Sequence, residues 1–109
     1  MQVIHFVTSD GKDVIDAWLD RLRDKRALSN ILRRVGRIER DGYFGDHKYL
    51  RDGVSELRID EGTGYRVYYA QDDAITVLLL NGGDKSTQAT DIDRAVKYWQ
   101  DFQQRRPKA

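Results

Sequence analysis

The spacing of apolar residues changes along the chain, and each change marks an element. Val3, Ile4, Phe6 and Val7 form a short apolar run ending at Thr8-Ser9-Asp10-Gly11, a turn and helix-capping cluster, which predicts a first strand. Past Asp13 the spacing becomes helical. Val14, Ile15, Trp18, Leu19 and Leu22 share one face, with Asp13 and Asp16 in the first turn, where the macrodipole favours acids. Asp24 is placed to cap a second helix in which Leu28, Ile31, Leu32, Val35 and Ile38 recur at three and four while arginines take the other side, and Asp41-Gly42 ends it. Gly36 inside that helix costs about 1 kcal/mol relative to alanine, so it is expected to mark a close approach to a neighbouring element. Tyr43 to Gly53 is expected to be a loop.

From Val54 to Lys85 the period falls to two, predicting three consecutive antiparallel strands. Gly62-Thr63-Gly64 supplies the first reversal and Gln71-Asp72-Asp73 the second. Alternation sends Leu57, Ile59, Tyr65, Val67 and Tyr69 to an apolar face and Glu56, Arg58, Asp60, Arg66 and Tyr68 to a charged one. The third strand, Ala74 to Leu80, runs into Asn81-Gly82-Gly83-Asp84-Lys85, read as a flexible turn at the sheet's edge. Thr90-Asp91-Ile92-Asp93 has capping-box chemistry, and Ile92, Ala95, Val96, Trp99 and Phe102 continue a third helix. The order β-α-α-β-β-β-α predicts an α+β domain with a small, mainly antiparallel four-stranded sheet, its helices sharing the apolar side or edges. Trp18, Leu32, Val35, Leu57, Tyr65, Val67, Val77, Leu79, Ile92 and Trp99 are the predicted core.

A chain of 109 residues with one proline and 39% hydrophobic content is expected to be one domain, residues 1–104, followed by a short basic tail, 105–109. With no cysteine there is no disulfide, thiolate metal site or cysteine nucleophile. The longest aliphatic run, Ile75 to Leu80, is too short to span a bilayer, and the first residues lack a secretion signal, so the cytoplasm is the expected compartment and no membrane partner is expected. The net charge is only +1, but its distribution is uneven. Arg21 to Arg51 holds ten Lys and Arg against four acids, a local +6 able to steer a polyanion.

Candidate chemistry follows from these faces. Arg58 and Arg66 come from neighbouring strands, so their planar forks can converge on one anion, with Lys85 as a third cation. An ordinary ion pair of Arg58 with Glu56, Asp60 or Glu61 is the competing reading. His47 has the ring chemistry for proton transfer near neutral pH; His5, within the first strand's apolar pattern, reads as structural. Tyr68, beside Arg66, would supply a phenol, stack on a base, or pack under the arginine. Lys48, Arg51, Arg33, Arg34 and Arg37 would grip a nucleic-acid backbone or form a solvated face. No cofactor or metal is called for.

The motifs ELRI, GYRVYY and LLLNGGDKSTQATDIDRAVKYW, with the approach HKYLRDGVSELRI, resemble the RelE/ParE superfamily of bacterial toxins, and within it the HigB-like or phage Gp49-like addiction-module killer proteins. The resemblance covers most of the chain. It implies a RelE-like fold and a type II toxin that acts as a ribosome-dependent, metal-independent endoribonuclease on messenger RNA. Arg58, Arg66 and Lys85 would hold the scissile phosphate and Asp84 would be a candidate base. The chain departs from the better-known nucleases in having no tyrosine or histidine between Asn81 and Asp91. The implied partners are the ribosome, messenger RNA and a cognate antitoxin, usually a helix-turn-helix protein of the HigA-like kind, meeting the helical face around Arg33, Arg34 and Arg37. A ParE-like gyrase inhibitor without catalysis, or a non-toxic phage-derived protein of this fold, are the alternatives. Arg66→Ala is expected to abolish toxicity and leave the thermal midpoint nearly unchanged.

Overall fold

The computed structural model describes residues 1–106. Its elements are β1 (Gln2–His5), α1 (Val14–Arg21), α2 (Lys25–Asp41), β2 (His47–Arg51), β3 (Val54–Ile59), β4 (Tyr65–Asp73), β5 (Thr76–Asp84), a 3-10 turn (Lys85–Thr87) and α3 (Gln88–Arg105). The strands form one five-stranded mixed sheet in the order β1-β5-β4-β3-β2, parallel only between β1 and β5. The α+β class is as expected, but the sheet has five strands rather than four. The extra one is β2, inside the expected loop, because His47-Lys48-Tyr49 pairs with Leu57-Glu56-Ser55 at the sheet's rim.

The helix signals act where the spacing placed them. Asp13 caps α1 by accepting from the Asp16 amide at 2.9 Å, Asp24 caps α2 by accepting from the Ala27 amide at 3.0 Å, and Gly42 ends α2 in the left-handed region at φ 66°. Two local expectations fail. Thr90 lies inside α3, whose N-cap, Thr87, makes no side-chain capping bond, so the expected capping box is not formed. At Gly36 the side chain nearest to an added Cβ is that of Arg40 from its own helix, not another element.

The strand register is the one alternation predicts. Leu57 faces Val67, Ile59 faces Tyr65 and Arg58 faces Arg66, with Val67 fully buried. The layering differs. α1 and α2 cover one face, over Ile15, Ile31, Ile38, Leu57, Ile59, Val67, Tyr69, Val77 and Leu79. α3 covers the other, with Ala95, Val96 and Trp99 on Val54, Tyr68, Ala70, Leu78 and Leu80. The helices are therefore split between two faces, because Val77 to Leu80 is apolar on both sides and needs cover on both. Among the predicted core residues Leu57, Val67, Val77, Leu79 and Trp99 are buried, Trp18, Val35, Tyr65 and Ile92 are half-buried, and Leu32 is 53% exposed on the outside of α2.

Asn81 to Asp84 is strand, not a flexible turn, and β5 lies inside the sheet. Its two glycines admit neighbours from both faces: the Trp18 ring packs onto Gly82 and the Asp91 carboxylate onto Gly83, where a Cβ would collide with either. Of the expected tail 105–109, Arg105 belongs to α3 and Arg106 caps it, while residues 107–109 lie outside the described residues.

Candidate functional site

α3 begins only at Gln88, so the ends of β3, β4 and β5 next to it lie beyond its cover on that face. There Arg58 and Arg66 sit directly opposite each other. Two cations at that spacing repel, and Glu56, from the same face, offsets the repulsion. Its carboxylate is 3% exposed; Oε2 lies 3.1 Å from Arg66 Nε and 3.6 Å from Arg58 Nε, and Oε1 accepts from Gln88 Nε2 at 3.2 Å. Asp46 Oδ1 also lies 3.5 Å from Arg58 Nε. Both arginines thus have acidic partners, and the competing reading, an ion pair of Arg58 with Glu56, exists alongside their convergence.

The pairing uses the Nε edges and leaves the forks. Arg66 Nη1 donates to its neighbour's carbonyl, Tyr65 O, at 3.1 Å. Among the described residues, Arg66 Nη2, both Nη groups of Arg58 and Lys85 Nζ make no hydrogen bond to the protein. These cations line a pocket of about 210 Å³ together with Asp46, Asp60 and Gly64. Gly64 is at φ +84°, where glycine costs least, and the Lys85 stem lies across it: an added Cβ would be 3.0 Å from Lys85 Cε. The turn that joins β3 to β4 thereby sets where Lys85 stands.

The other predicted site residues divide. Asp84 adjoins the pocket but caps the 3-10 turn, accepting from the Ser86 amide at 2.8 Å and the Ser86 hydroxyl at 2.5 Å. Those bonds, the hydroxyl's first, hold its carboxyl below the ordinary range and make it a weak base. His47 lies opposite Leu57, hence on the α1/α2 face and away from the pocket, with Nδ1 donating to the Gly45 carbonyl at 2.8 Å. His47 is not placed to take a proton in the pocket. Tyr68 is fully buried and cannot stack on a base. Burial pushes its phenol far above the usual range, with Asp91 and Glu56 adding, and its hydroxyl has no hydrogen-bond partner among the described residues. Lys48 stands opposite Glu56 on the pocket's face.

Arg34 is a clamp rather than a contact for RNA. Its fork donates to the carbonyls of Arg58 (2.7 Å), Phe44 (2.9 Å) and Asp46 (2.8 Å), tying α2 to β2 and β3. Arg51 bonds Asp52 at 2.7 Å and reaches Asp93 of α3. Arg33 donates to Asn30 at 2.6 Å, and Arg37 lies 4.4 Å above the Tyr43 ring; both are exposed. His5 is not enclosed in the core: it is exposed and pairs with Asp13 at 2.9 Å.

Residues 17–98 match the family model described as phage derived protein Gp49-like (DUF891). The chain belongs to that family. Gp49-like proteins form part of the RelE/ParE-like toxin superfamily, so the motifs quoted above are placed at that level. A protein of Haemophilus influenzae, named only as uncharacterized, is 51% identical over 80 residues, covering 73% of this chain and 80% of its own.

Glu56 and Gln88 are the site residues the sequence reading did not choose. Glu56 had a signal, being in phase with Arg58 on the charged face, but so was Asp60. Gln88 had none, since its contact spans 32 positions and depends on where α3 docks.

Proposed function

We propose that this Gp49-like protein is the toxin of a type II toxin–antitoxin pair, of the HigB-like kind, and cuts messenger RNA in the cytoplasm on the translating ribosome. Membership of a family within the RelE/ParE-like superfamily supports the reading. The observation that carries it is the set of donor groups on Arg58, Arg66 and Lys85 left free over one pocket. RNA brings its own nucleophile, the 2′-hydroxyl beside each phosphate, so the protein's main task is to hold the phosphate and stabilise the charge that develops on it. Guanidinium forks oriented by Glu56 suit that task. The ribosome would supply the remaining alignment. An antitoxin, in this reading a helix-turn-helix protein, would meet the exposed arginines of α2, now limited to Arg33 and Arg37 with their neighbours.

A second reading is a ParE-like gyrase binder. It is favoured by the acidic partners of both arginines and by the absence, among the described residues, of a histidine or tyrosine lining the pocket.

Induction in cells with mapping of new 5′ ends on messenger RNA separates the two. Cuts confined to translated frames, lost in Lys85→Ala, are the expected result; replication arrest with intact messages favours the gyrase reading. Lys85 is the residue to change because it is exposed and holds no ion pair among the described residues.

A further inference from the structure

The pocket opens on the α3 face and the arginines of α2 on the other, so a chain that touches both must pass around β2, the outermost strand. That strand carries an arrangement which neither the core nor the pocket uses. His47 and Tyr49 are two residues apart on β2, so both rings project toward the α1/α2 side. Both are exposed, Tyr49 at 62%. Each is nevertheless fixed at a polar atom: His47 by the Gly45 carbonyl, and Tyr49 through its hydroxyl, which accepts from the Gly53 amide at 3.1 Å. Phe44 extends the row, its ring 5.6 Å from that of His47 and stacked on Tyr69 at 5.4 Å. A core ring would be covered, and a solvated ring would be unrestrained; His47 and Tyr49 are oriented and open, and half-buried Phe44 joins them to the core.

The surroundings favour one kind of occupant. Lys48, between the two rings in sequence, makes no ion pair among the described residues, and Arg37 lies close over Tyr43 where α2 ends. The exposed aliphatic side chains, Val7, Leu32 and Ile75, belong to other elements. Flat faces at an edge flanked by cations and without aliphatic anchors suit bases and phosphates, since every base presents a π-face. We propose that His47 and Tyr49, with the rim of Phe44, form a stacking platform for the unpaired bases of a single-stranded nucleic acid, while Lys48, on the pocket side of the same strand, meets the backbone as it rounds the sheet's edge. Asp46, which lines the pocket, immediately precedes His47, so the platform would receive the strand that leaves the pocket. This rests on the RNA reading for its biological ligand, though not on cleavage.

The test is fluorescence anisotropy with a labelled single-stranded oligodeoxyadenylate, which has no 2′-hydroxyl to attack, and its blunt duplex alongside. Tyr49→Ala is expected to weaken single-strand binding about tenfold and Tyr49→Phe to retain most of it. His47→Ala, which removes no contact to Gly53, is expected to cost severalfold, and duplex binding should not change. A protein that binds the single strand in this pattern and never cuts messenger RNA keeps the platform and loses the nuclease. No binding by the wild-type chain, equal binding by Tyr49→Ala, or equal losses on strand and duplex would each overturn the platform. So would a Tyr49→Ala protein that holds the oligonucleotide normally but loses a protein partner.

Discussion

On the α1/α2 face, Leu57, Ile59, Val67 and Tyr69 are covered along β3 and β4; on the α3 face, cover stops at Tyr68, and the same strands go on to present Glu56, Arg58 and Arg66. One side is closed by apolar burial and the other ends in a charged pocket. The difference comes from where the helices start. α2 runs the length of its face and is clamped by Arg34 onto three carbonyls, whereas α3 is held back by the 3-10 turn that Asp84 caps. Residues beyond α3 have to satisfy one another. Glu56 does this for two arginines whose separation would otherwise be unfavourable, and the price is a carboxylate almost wholly out of water.

Four variants sharpen or break this contrast. The largest effect is expected on the closed face: Leu57→Ala should lose about 2–5 kcal/mol by chemical denaturation, because the site cannot collapse beneath two helices. A loss below that range would mean the covered face is loosely packed. Next comes Glu56→Ala. It leaves Arg66, only 12% exposed, facing Arg58, and since Arg58 is 37% exposed and partly screened the cost should be about 2–3 kcal/mol. At the same time inorganic phosphate should bind more tightly, read as a larger thermal shift on adding phosphate. Stability and anion affinity falling together would sink the view that the charge of Glu56 is what offsets the two arginines. The same burial revises the expectation for Arg66→Ala. That variant strips Glu56 of its nearest cation, so a lower thermal midpoint should accompany any loss of toxicity, and Lys85→Ala is the cleaner probe.

The third effect has the opposite sign. Tyr68→Phe deletes a buried hydroxyl that has no hydrogen-bond partner among the described residues and should stabilise by about 1 kcal/mol. Because burial raises the folded phenol's pKa, folded Tyr68 keeps its proton where the unfolded one, near 10, gives it up. Its contribution is therefore fully present below about pH 10 and is lost as pH rises beyond that, at a slope of up to about 1.4 kcal/mol per pH unit. Denaturation midpoints above pH 10 should fall less steeply in Tyr68→Phe; an unchanged slope would place that hydroxyl in water. The smallest effect belongs to the crest of α2. Arg33→Glu with Arg37→Glu should move stability by no more than about 0.5 kcal/mol each, yet slow association with an acidic partner and flatten its salt dependence. An unchanged rate leaves occlusion of the pocket as the route to neutralisation.

Much of the fold was legible because its signals are local. Asp13 and Asp24 cap the helices that follow them, Gly42 stops α2, and period-two alternation assigned the faces of β3 and β4 correctly, which brought Arg58 and Arg66 together. The surroundings of Asp84 and His47 were not legible for one reason. Sequence proximity to the site does not say which hydrogen bond a side chain takes or which face of a strand carries it.

By itself the sequence determined the helices and the caps of the first two, the register of the two central strands and the convergence of two arginines, since each is written in spacing over a few residues. Tertiary structure alone decided the rest. Pairing across the sheet turned an expected loop into β2 and sent His47 to the far face; the two-sided Val77–Leu80 run drew α3 to the side opposite α2; and the docking of α3 brought Gln88 to Glu56. Those outcomes depend on contacts between residues distant in the chain, where burial on both faces of a strand and the pairing of charges out of water outweigh any local preference.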